Sequence, residues 1–136
     1  MLRAYAASKL CNLLTARALA SSALAQERGL RVIAFNPGFT LGTQLTRNHG
    51  LAFKAFFAVW VPLLRLFQRL NTVGDGGILL ADLALGRIVP PTGRLYASQV
   101  KRHLTWPEPS ELARDNTAMV KLWRDSSALV GLPSTL

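Results

Sequence analysis

Apolar residues crowd residues 2–27, with no glycine or proline among them, and this predicts one helix. Gly29 stands where a C-cap belongs. Residues 31–35, Arg-Val-Ile-Ala-Phe, predict a short buried strand, which Asn36-Pro37-Gly38 ends in a turn. Residues 39–50 read as loop, with Gly42, Asn48 and Gly50. Residues 51–70 are apolar and aromatic, and Pro62 predicts a kink or break inside them. A helix is expected over 77–85, with Thr72 as the cap of its approach. Pro90-Pro91-Thr92-Gly93 predicts a turn and residues 95–97 a last strand. Ser110 is a good N-cap for a final helix to about residue 129, stopped by Gly131 and Pro133.

A helix, a short loop and a buried strand make half of a parallel-sheet unit. Two such strands make a poor domain alone, because a parallel sheet needs more neighbours and cover on both faces. The pattern therefore predicts an α/β chain that forms a piece of a larger doubly wound parallel sheet. Residues 1–136 would all belong to that single domain, which is incomplete in this chain.

Half of the 136 residues are apolar, enough for a sizeable core. The net charge of +9 favours anionic partners such as phosphate-bearing cofactors. The basic residues are scattered, and no nucleic-acid-binding motif accompanies them, so no nucleic-acid partner is expected. Cys11 is the only cysteine, which excludes a disulfide framework. His49 and His103 read as surface residues, and no metal site is expected from them. The start lacks an apolar signal core, and no apolar run reaches the roughly 20 residues of a membrane span. A cytoplasmic chain is the resulting expectation.

Tyr5 and Lys9 lie four apart on the first predicted helix, so their side chains share a face. A phenol ordinarily titrates near pH 10 and is a weak acid at neutrality. An ammonium within about 4–6 Å favours its ionised form. A phenol so placed can pass a proton to a carbonyl oxygen or take one from an alcohol. Tyr-x-x-x-Lys alone is a common pattern, and such pairs usually pack or face solvent. The Asn36-Pro37-Gly38 turn after a buried strand adds context, because binding crevices in open α/β sheets lie beyond strand C-termini.

With Ala4-Tyr5-Ala-Ala-Ser8-Lys9-Leu-Cys11-Asn12, then Arg31 to Gly38, the helix near 72–85 and the strand at 95–97, nearly the whole chain resembles the last half of the short-chain dehydrogenase/reductase family. Ser8-Lys9-Leu-Cys11-Asn12 and the ending Val120-Lys-Leu-Trp123-Arg are similar to light-dependent protochlorophyllide reductases, with part of the pattern shared by retinol-dehydrogenase-like members. The resemblance implies a Rossmann-like fold and NAD(P)H-dependent hydride transfer to or from a carbonyl, an alcohol or an activated C=C. NADP(H) is favoured by the subgroup, with NAD(H) the alternative. Tyr5 would be the acid/base, and Lys9 would assist it and hold the nicotinamide ribose. Pro37 and Gly38 would line the nicotinamide. The family often has a threonine five residues after the proline; here that position is Gly42, so Thr43 and Thr40 are the candidates for the contact. The family's glycine-rich phosphate loop, catalytic serine and structural asparagine precede its tyrosine. No Gly-x-x-x-Gly-x-Gly stands ahead of Tyr5, and the chain is expected to be a fragment of the enzyme.

Phe56, Phe57 and Trp60 in the 51–70 segment are candidate contacts for a large apolar substrate. The same segment also reads as an interfacial helix giving peripheral membrane contact, or as simple core. Cys11 is a candidate pocket residue, although a small buried thiol is its commoner role. The rival to an oxidoreductase is a non-catalytic remnant that binds a partner or a membrane surface. A homo-oligomer is compatible with either.

Overall fold

The computed structural model describes residues 2–38, 40–41 and 71–133. They form a mixed α/β chain that divides into two compact units. The first contains residues 1–34, 93–96 and 107–136; the second contains 35–92 and 97–106.

The first unit is helical. α1 (Leu2–Ser21) and α2 (Ala23–Glu27) replace the single helix expected over 2–27. The break comes from Ser22, whose hydroxyl donates to Leu19 O at 2.7 Å and accepts from Ala25 N at 3.2 Å. One side chain thus closes a helix and caps the next. Gly29, at φ +61°, follows the C-cap Arg28, as the sequence pattern predicts. The C-terminal helix is also divided, into α4 (Glu111–Arg114) and α5 (Asn116–Leu129). Asp115 lies between them with extended backbone, and its carboxylate accepts from Thr117 N and Ala118 N. Leu14 and Ala18 of α1 pack on Met119 of α5, with Leu10, Leu122 and Trp123 around them. Ala18 has no exposed surface, and its small size lets the two helices meet. Arg17 adds a polar tie across this packing, donating to Ala113 O at 2.8 Å and Asn116 Oδ1 at 2.6 Å.

The second unit is built on a three-stranded mixed sheet ordered β1 (Ala34–Asn36), β4 (Tyr96–Val100), β5 (His103–Thr105), the unit taking β1 from Phe35 and β4 from Ala97. β4 and β5 pair antiparallel, with Gln99 opposite Leu104. β5 falls where the sequence pattern predicts no element and His103 reads as a surface residue. Lys101 and Arg102 both adopt left-handed backbone, φ 49° and 68°, and close the hairpin in two residues without a glycine. A short parallel pair joins β2 (Thr40–Leu41) to β3 (Asn71–Thr72). α3 (Val73–Ala84) starts four residues earlier than expected, immediately after Thr72. Thr72 accepts from Asp75 N, and Asp75 accepts from Thr72 N, which completes a capping box.

Candidate active site

Tyr5 and Lys9 lie on α1 in the first unit, both exposed. The Lys9 ammonium stands over the Tyr5 ring, 5.4 Å from its centroid. That distance is within the range of cation–π attraction, worth about 0.5–1 kcal/mol at an exposed site. With Tyr5 57% exposed, the phenol is open to an incoming molecule. Ser8, between them in sequence, donates its hydroxyl to Tyr5 O at 2.8 Å, a local bond back along the helix. Cys11 is exposed rather than buried, so the small buried thiol expected as its commoner role is not what the structure contains.

The Asn36-Pro37-Gly38 turn belongs to the second unit. Asn36 Oδ1 accepts from Gly38 N at 3.0 Å, an Asx turn that bends the chain after β1. Gly38 has φ +66°, and a Cβ added there would stand 2.4 Å from Gln99 O and 2.8 Å from Asn71 Nδ2. β4 itself therefore requires the glycine. Pro37 O accepts from Asn71 Nδ2 at 2.9 Å and from Thr40 Oγ1 at 3.1 Å. The Thr40 hydroxyl is thus directed at the turn's own backbone, with Gly38 O a further 3.4 Å acceptor. Thr43, Phe56, Phe57 and Trp60 lie outside the described residues.

Asn71 organises this turn and was not foreseen from the sequence. It is 3% exposed, and its Nδ2 bridges Pro37 O and Gln99 O, while its Oδ1 accepts from Arg102 N at 2.9 Å. The one available signal was a polar residue set between an apolar run and the Thr72 cap.

Arg102 also reaches Asp75, its Nη2 donating to Oδ1 at 3.1 Å. The Thr72 hydroxyl bond and then Arg102 hold the Asp75 carboxyl below its ordinary value. A folded-state value below the unfolded one, near 3.9, gives stability that is present above about pH 4. It is lost as pH falls through the lower folded value. On acidification, hydrogen exchange at the start of α3 is expected to accelerate below about pH 4. Asp75→Asn should remove that acid-dependent step, and an unchanged acid profile would contradict the role.

Among the described residues no group of three metal-ligating side chains occurs, and no helix is long and apolar enough to cross a membrane. No protein-family model, curated protein or solved structure matches the chain.

Proposed function

We propose that the chain carries the proton-transfer side of an NAD(P)H-dependent oxidoreductase of the short-chain type, within a Rossmann-like α/β fold. The reading rests on the solvent-open Tyr5–Lys9 pair, with the ammonium 5.4 Å from the ring centroid. The phenol gives a proton to a substrate oxygen in reduction and removes one in oxidation. A nicotinamide, when bound, supplies or receives the hydride. Lys9 has the donors to hold a ribose hydroxyl, because an ammonium carries three N–H groups and no acceptor. The exposed ammonium beside an exposed phenol fits that demand. The resemblance gives Pro37 and Gly38 a nicotinamide-lining role and makes Thr43, ahead of Thr40, the candidate for the carboxamide contact. NADP(H) is the favoured cofactor and a fairly apolar carbonyl, alcohol or activated alkene the substrate.

The test uses reduced nicotinamide riboside, which has the ring and ribose but no phosphate. Saturation-transfer NMR should show magnetisation passing from the protein to both ring and ribose protons. Lys9→Met should weaken the signal several-fold by removing the ribose donor, whereas Tyr5→Phe should leave it in place. No transfer, or transfer insensitive to Lys9, would overturn the proposal.

A further inference from the structure

In the first unit a cavity of about 230 Å³ opens beside α1, bounded also by residues 93–96 and 107–114. Three arginines line it, Arg17, Arg94 and Arg114, with Glu108 the one carboxylate among its lining residues. Arg17 is fixed in place by its bonds to Ala113 O and Asn116 Oδ1. Glu108 is shared: its carboxylate pairs with Arg94 and lies 3.9 Å from Arg114 Nη1. Three positive charges less one negative leave an excess of two in the cavity wall. Tyr96 and Pro107 supply an apolar side to the same space.

The geometry points to a binding site for a small phosphate monoester that carries a planar ring. At neutral pH such a phosphate bears about −1.5 to −2 charges, which matches the excess. Arginine's planar fork pairs with two phosphate oxygens at once, a geometry that lysine lacks. The cavity is smaller than the roughly 300–1,000 Å³ of sites for drug-sized ligands. It has room for a phosphate and one ring, not for a dinucleotide. The ring lies against Tyr96 and Pro107, and the phosphate replaces the Glu108 carboxylate beside Arg94. Tyr5 and Lys9 do not line this cavity, so the site stands apart from the proposed proton-transfer pair.

Because Glu108 competes with the ligand for Arg94, the test has a sign that a purely structural role does not produce. Calorimetric titration of the whole protein with phenyl phosphate should show saturable binding. Glu108→Gln should tighten it several-fold, because the competing carboxylate is gone. Arg94→Gln should weaken it about ten-fold or more, with Arg94→Lys, which keeps charge but loses the fork, in between. Inorganic phosphate, lacking the ring, should bind several-fold more weakly. The proposal is overturned by absent saturation, by a Glu108→Gln variant that binds no better, or by equal affinity for inorganic phosphate.

Discussion

Gly38→Ala is expected to destabilise the protein by about 3–5 kcal/mol, a large share of the roughly 5–15 kcal/mol that holds a domain folded. Two effects combine. An L-residue at φ +66° costs about 1–2 kcal/mol in backbone strain. The added methyl would also sit 2.4 Å from Gln99 O, a backbone atom of β4 that cannot swing aside as a side-chain tip can. Relief requires the turn to separate from β4, breaking the Asn71 bonds to Pro37 O and Gln99 O. Urea unfolding should show the loss as a lower midpoint, and amide exchange should locate it to β4 and the turn. A glycine substitution elsewhere gives the contrast: Gly29→Ala meets no atom within 4 Å and incurs backbone strain alone.

Asn71→Ala should cost about 3 kcal/mol, with the same measurement. Three hydrogen bonds vanish, and Pro37 O, Gln99 O and Arg102 N each lose a partner in or near the interior. A buried polar group left unpaired costs about 1–3 kcal/mol, more than the net value of a bond between two exposed groups. The double variant Gly38→Ala with Asn71→Ala should cost less than the sum. Removing the amide eliminates one of the two clashes that the new methyl makes, while the contact with Gln99 O persists. Strict additivity would mean that the turn and Asn71 act independently.

The parts that were readable in the sequence are those decided by neighbours along the chain. The absence of glycine and proline over 2–27, the stop at Gly29 and the cap at Thr72 are local facts, and the structure contains each of them. The breaks at Ser22 and Asp115 were not readable. Serine and aspartate inside a helical run can face solvent or seize backbone amides, and only the folded backbone decides which. β5 escaped notice because its hairpin closes through Lys101 and Arg102 rather than through a glycine or asparagine. The role of Asn71 depends on Pro37, Gln99 and Arg102, partners about 30 residues away in either direction. Tyr5 and Lys9 were legible because four-residue spacing on a helix guarantees a shared face. The arginine cavity was not, since its members are contributed by three separate stretches of chain.

Those separations bear on how the protein is made. Arg17 on α1 finds its acceptors 96 and 99 residues later, and Leu14 and Ala18 find Met119 at a similar remove. At roughly 5–20 residues per second, a ribosome leaves α1 without those partners for about 5–20 s. Helix formation takes on the order of a microsecond, so α1 can wind early but cannot dock. During that interval its apolar stripe stays uncovered, and the emergence of α5 is what buries Leu14 and Ala18 against Met119.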